Sequence, residues 1–163
     1  MRERLDANSR EVLVDARAEA RAHDDATLEA EHLLLALARH SRSDAGTLLA
    51  DVGLDHDRLR QALDAQSAAT LASVGIPAAL IDRQRSTFGP RGEPRWGASA
   101  RRALERSLRV ARRHRARTIR PTHLLLGVLG ASEGTVPRTL AAAGVDIDAL
   151  VGSAETSLAD PRG

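Results

Sequence analysis

The 163-residue chain contains no cysteine, no lysine and no tyrosine, and its only bulky aromatics are Phe88 and Trp96. Without cysteine there is no thiol nucleophile, no Cys-ligated zinc and no disulfide framework. Without lysine there is no P-loop lysine, no Schiff base and no lysine general base, so this chain alone cannot be a Walker-type ATPase. All 24 Lys+Arg positions are arginine. The scarcity of aromatics leaves Leu, Ala and Val to build the core, a composition that favours helices over sheets. Long apolar runs are missing too. The longest, Leu33 to Ala38, is far short of the roughly 20 residues of a membrane span. The start, Met1-Arg2-Glu3-Arg4-Leu5-Asp6, has no apolar stretch of the kind a secretory signal needs. A cytoplasmic protein is expected, and no cofactor is implied.

What is present is 42% apolar and 28% charged with a net charge of +2, enough for one compact domain or two very small ones. The chain also repeats itself. Shifted by 91 positions, Leu5 to Asp64 lies over Trp96 to Glu155 without a gap, with 18 identities in 60 pairs. They include Leu13 with Leu104, His23 with His114, Thr27 with Thr118, Gly53 with Gly144 and the block His32-Leu33-Leu34-Leu35 with His123-Leu124-Leu125-Leu126. A fixed-period repeat sets the architecture before any local reading does.

Each half reads as four helical pieces. The first begins with Asn8 as N-cap and Glu11 three residues on, and its mate begins near Ser99. A second helix starts near Glu31 and near Thr122, where Pro121 suits a first turn. Its leucines point to a buried central helix. The third piece ends at Gly53 and Gly144, and the fourth starts on the N-caps Asp55 and Asp146. The expected division is 1–64 for the first repeat, 65–95 for an inter-repeat helix and linker, 96–155 for the second repeat and 156–163 for a flexible tail. Within 65–95, a helix start is expected over 76–81 and a linker over 88–94.

Tandem four-helix repeats that open a helix on His-Leu-Leu-Leu and close on Ala-x-x-Gly-[Leu/Val]-Asp resemble the double Clp repeat, the N-terminal domain of Clp-type unfoldases. Its strongest stretches are Glu31-His32-Leu33-Leu34-Leu35-Ala36-Leu37 and Pro121-Thr122-His123-Leu124-Leu125-Leu126-Gly127-Val128-Leu129. The resemblance implies an all-α, pseudo-twofold domain that binds protein or peptide substrates and adaptors, with ties to a Clp unfoldase–protease system, and does no chemistry of its own. It also implies a free-standing N-domain without the family's ATPase modules. In some members a Glu just before each repeat His recognises phosphorylated arginine. Glu31 matches that position, whereas the second repeat has Thr122. The expected ligand groove lies between the repeats at Leu5, Glu31, His32, Trp96, Thr122 and His123. There Glu31 offers one carboxylate to a basic group.

Three other readings come from the residues themselves. Glu29-x-x-His32 has the spacing of di-iron bundles, but its repeat mate is Arg120, so the second Glu-x-x-His is missing and no metal is expected. The two His are expected instead to hydrogen-bond backbone between the halves. No Gly-x-Ser-x-Gly elbow supports a hydrolase. Charge is uneven: residues 1–64 hold 9 Arg and 14 acids, net −5, and residues 65–163 hold 15 Arg and 8 acids, net +7. On the helix after Ser99, an arc of about 140° carries Arg102, Arg106, Arg109 and Arg113 among others. That stripe is a candidate face for an acidic partner. The alternative function is nucleic-acid binding through the Arg-rich helix 99–117, although no interleaved aromatic offers stacking.

Overall fold

The computed structural model describes residues 4–77, 79–80 and 92–159. The first repeat comprises β1 (Arg4–Leu5), α1 (Ala7–Ala22), β2 (Thr27–Leu28), α2 (Ala30–Arg39), α3 (Asp44–Asp51) and α4 (His56–Ser73). The second comprises β3 (Arg95–Trp96), α5 (Ala98–Arg113), β4 (Thr118–Ile119), α6 (Pro121–Leu129), α7 (Thr135–Ala142) and α8 (Ile147–Ala159). The class is all-α, and the element order repeats with the 91-residue shift seen in the sequence. α4 continues past residue 64 to Ser73, and α8 carries residues 156–159 as helix. In the expected helix start over 76–81, Ala79 and Leu80 are helical and the Leu80 N–H donates to the Pro77 carbonyl at 3.0 Å, while residues 78 and 81, residues 88–91 of the expected linker and the tail from 160 lie outside the described residues.

Local chemistry explains most helix boundaries. Asp55 accepts from the backbone N–H of Arg58 at 2.9 Å and Asp146 from that of Ala149 at 3.0 Å, so both act as N-caps. Gly53 (φ +78°) and Gly144 (φ +73°) follow the third helix of each repeat in the left-handed conformation that glycine adopts without steric cost. Pro121 opens α6, as its fixed φ and missing N–H favour. The N-cap of α1 differs from the one expected. It is Asp6, whose carboxylate accepts from the Ser9 N–H at 2.7 Å, and Asn8 already lies inside the helix. Asp6 is held extended because its own N–H donates to the Ile119 carbonyl at 3.1 Å.

That last bond belongs to a feature the apolar pattern does not reveal. β1 pairs in parallel with β4 of the other repeat, and β2 pairs in parallel with β3. Each two-residue ladder thus staples one repeat to the other. The two are related by the pseudo-twofold, since Gly97 N–H donates to Leu28 O at 2.8 Å as Asp6 donates to Ile119.

α2 and α6 pack together at the centre, with residues 32–38 and 121–129 buried, each flanked by its own first helix. Leu33, Leu34, Leu35, Leu37, Leu124 and Leu125 are at most 1% exposed, and burying each contributes about 1.5–3 kcal/mol. α5 approaches α6 very closely: a Cβ on Gly127 would overlap the Ser107 hydroxyl and the Ala103 carbonyl oxygen. Among the described residues, no helix is long and apolar enough to cross a membrane.

Candidate functional site

The amino end of α2 is built by reciprocal hydrogen bonds with the second repeat. The Glu29 carboxylate accepts from the backbone N–H of Ser99 at 3.1 Å and from its hydroxyl at 2.5 Å, while the Ala30 N–H donates to Ser99 Oγ at 2.8 Å. Gly97 makes room for this, since a Cβ there would collide with the Glu29 carboxylate. Glu29 is therefore committed to joining the repeats and is not a free metal ligand. Glu31, two residues on, is only partly exposed and has no ion-pair partner among the described residues. Burial pushes its carboxyl above the ordinary range, and the neighbouring Glu29 and Asp25 carboxylates push the same way. His32 and the backbone oppose them.

Two adjoining clefts open on either side of Glu31, sharing Glu29, Glu31, Thr135 and Arg138 in their walls. The first, about 280 Å³, has an acidic and imidazole lining of Asp25, Asp64, His23 and His32, with the carboxyl-terminal part of α4 as one wall. The second, about 450 Å³, lies between the starts of α2 and α7, the 130–134 loop and α5, which contributes Arg102 and Arg106. The arrangement is one open cleft with an acidic lobe, a basic lobe and Glu31 between them.

Of the six groove residues expected from the sequence, the structure brings only Glu31 and His32 into these clefts. Trp96 lies next to them in β3, paired with Leu28. It is half-buried against the core, with the Arg17 guanidinium 5.8 Å from its ring centre. Leu5 is its mate in β1, on the other ladder, also partly buried. Thr122, 2% exposed, and His123, fully buried, lie in the core rather than in a groove. A residue equivalent to Glu31 by sequence is thus not equivalent to it in accessibility.

The two His bond backbone, but within their own repeats rather than between the halves. Glu29 N–H donates to His32 Nδ1 and Arg120 N–H donates to His123 Nδ1, each at 2.9 Å. With Nδ1 accepting, the proton sits on Nε2. His32 Nε2 faces Asp25 Oδ2 at 3.1 Å, whereas His123 Nε2 is buried without a hydrogen-bond partner among the described residues.

The arginine stripe is not one free surface. Arg106 is half-buried, and its Nε donates to the Gly127 carbonyl at 2.7 Å. Arg113 pairs with Glu155, which also meets His114 Nε2 at 2.6 Å. Arg102 and Arg109 are exposed, Arg102 inside the basic lobe. An uninterrupted cationic face for a nucleic-acid backbone is therefore not formed by these four residues.

Sequence reasoning missed two clusters. Glu19, 3% exposed, gathers Arg39 at 3.2 Å, His56 at 2.7 Å and Arg60 at 3.3 Å, tying α1, α2 and α4 together. Its place on the Val12–Ala16–Ala20 face of α1 was the available signal: a carboxylate in an apolar stripe needs partners. The other is Arg138, whose repeat mate is Thr47 and which no periodicity marks.

The family model of the Clp repeat (R) N-terminal domain matches residues 4–91 and again 95–161. The chain belongs to the Clp N-terminal domain family. Similar solved structures carry the same fold at low identity. The N-terminal domain of the caseinolytic protease associated chaperone ClpD from Arabidopsis thaliana superposes with a TM-score of 0.71 at 18% identity, covering 96% of each chain. The Hsp104 N-terminal domain from Candida albicans gives 0.66 at 17% identity, covering 93% of this chain and 89% of that one. A protein of a malarial protein secretion system gives 0.62 at 16% identity, covering 98% and 97%. No curated protein matches this chain.

Proposed function

We propose that this Clp N-domain is a non-enzymatic, cytoplasmic protein- and peptide-binding module that serves substrate or adaptor recognition for a Clp unfoldase–protease system or competes with the N-domain of such an unfoldase. The observation that carries the reading is the cleft beside Glu31. It holds the Glu31 carboxylate, which has no ion-pair partner among the described residues, framed by Asp25 and Asp64, and its wall is supplied by helices from both repeats. Such a site suits a basic side chain of a docked peptide, because a charge-assisted hydrogen bond in a partly dry cleft is stronger than one at an open surface. The absence of lysine removes the residue that would hold the β- and γ-phosphates of a nucleotide, which agrees with a binding role without hydrolysis.

The test is a fluorescence anisotropy screen of arrayed peptides against the wild type and Glu31→Ala. The best basic peptides are expected to bind about tenfold more weakly to the variant, the loss of one charged hydrogen bond. Their chemical-shift changes should map to residues 25–35 and 64–71. Equal affinities for both proteins, with shifts on the face opposite Glu31, would remove the cleft from consideration.

A further inference from the structure

The helix positions of the basic lobe do not by themselves dictate its charge. The repeat mates of Arg102 and Arg106 are Glu11 and Asp15, which line the equivalent depression on the first repeat beside Val14 and His40. The same helix positions therefore fold with either sign of charge. In the second repeat Arg102, Arg106 and Arg138 border one cleft of about 450 Å³, and among the described residues none of the three forms an ion pair. Two of them are held in place by backbone carbonyls: Arg106 Nε donates to Gly127 O at 2.7 Å and Arg138 Nε to Gly134 O at 3.0 Å. In each guanidinium the terminal nitrogens remain available as donors. Glu133, exposed on the same rim, is the only acidic residue of that lobe besides Glu29 and Glu31 among the described residues.

We infer that the cleft reads a peptide segment of opposite charges, seating a carboxylate side chain among Arg102, Arg106 and Arg138 while a neighbouring basic side chain meets Glu31 and the acidic lobe. This rests on the proposed peptide-binding role and adds the identity of the second contact. The shared wall of Glu31 and Arg138 sets the polarity. A ligand with one charge only leaves one lobe unmatched and approaches its like charge in the other, so selectivity comes from repulsion as much as from attraction.

The experiment uses the full chain and fluorescein-labelled Gly/Ser peptides carrying Arg and Glu spaced by none, one or two residues, with matched peptides in which Gln replaces Arg, Glu or both. At least one Arg/Glu spacing is expected to bind about tenfold more tightly than its Arg/Gln partner. Arg102→Ser and Arg138→Ser should each remove most of that difference, weakening the Arg/Glu peptide and binding the Arg/Gln peptide at least as tightly as the wild type does, because a like charge has been removed. Arg109→Ser, the same charge change on an exposed arginine outside the cleft, should leave the difference intact. If Glu31→Ala weakens the Arg/Gln peptide but no spacing favours Glu, the basic lobe is not a carboxylate site and the peptide-binding role survives alone. If Arg109→Ser acts as strongly as Arg102→Ser, the selectivity is general attraction and the inference fails. If no peptide of the series binds, both fall together.

Discussion

His32 and His123 occupy equivalent positions and accept the same backbone hydrogen bond on Nδ1 at 2.9 Å, yet among the described residues only His32 has an acceptor for its other nitrogen. The cause is a single exchange. Asp25, which faces His32 Nε2 at 3.1 Å, has Ala116 as its repeat mate.

The buried imidazole of His123 should mark the pH dependence of stability. Burial, with Arg120 and His114 nearby, lowers the His123 pKa to about 4. Its unfolded value is about 6.5, so the unfolded chain binds the extra proton first. This contribution to stability is complete above about pH 6.5 and is lost as pH falls toward 4. His23, lowered mainly by burial, acts in the same sense. In urea titrations from pH 7 to 4, His123→Asn, which keeps an acceptor near the Nδ1 position, should flatten the decline by about 2 kcal/mol relative to the wild type. An unchanged slope would mean that another group controls this range.

Glu19 should matter to the fold and not to binding. Replacing it by Ala leaves Arg39, His56 and Arg60 without their common buried acceptor. A loss of about 2 kcal/mol in chemical denaturation is expected, below the full cost of breaking a buried pair because its partners reach solvent. Affinity for a basic peptide per folded molecule should stay the same, and a stability change below 0.5 kcal/mol would show that the network is electrostatically idle.

Gly127 should tolerate no side chain. A methyl there meets the Ser107 hydroxyl and the Ala103 carbonyl across the α5–α6 contact, so Gly127→Ala should destabilise by about 1–3 kcal/mol through overpacking. Gly144→Ala, with nothing near its Cβ but φ at +73°, should cost about 1 kcal/mol for its backbone conformation alone. Combining Gly127→Ala with Ser107→Ala should recover part of the first loss and none of the second.

The arginines of α5 should separate by role. Arg102→Glu and Arg109→Glu are expected to shift stability by no more than about 0.5 kcal/mol, as exposed charges do. Arg106→Glu breaks its bond to the Gly127 carbonyl and should cost about 1–2 kcal/mol. Thermal melts of the three single variants, measured at one salt concentration, decide this.

Much of the architecture is local and was therefore legible. Asp55, Asp146, Gly53, Gly144 and Pro121 act through bonds and dihedrals within a few residues, and the two leucine runs declare burial by having no polar face. At Asn8 the local pattern fails because a partner more than a hundred residues away fixes Asp6, two positions earlier, through the Asp6 N–H bond to the Ile119 carbonyl.

By itself, then, the sequence determined the duplication, the helical class and the central helices. Only the tertiary structure decided the exchange of strands between repeats, the burial of Thr122 and His123 and the meeting of Arg102, Arg106 and Arg138 opposite Glu31. The physical reason is range. Caps and apolar faces are set by neighbours three or four positions away, whereas a cleft takes its walls from α2, α5 and α7. Which of their side chains converge depends on how closely the helices pack, a distance that Gly97 and Gly127 set through atoms they do not have.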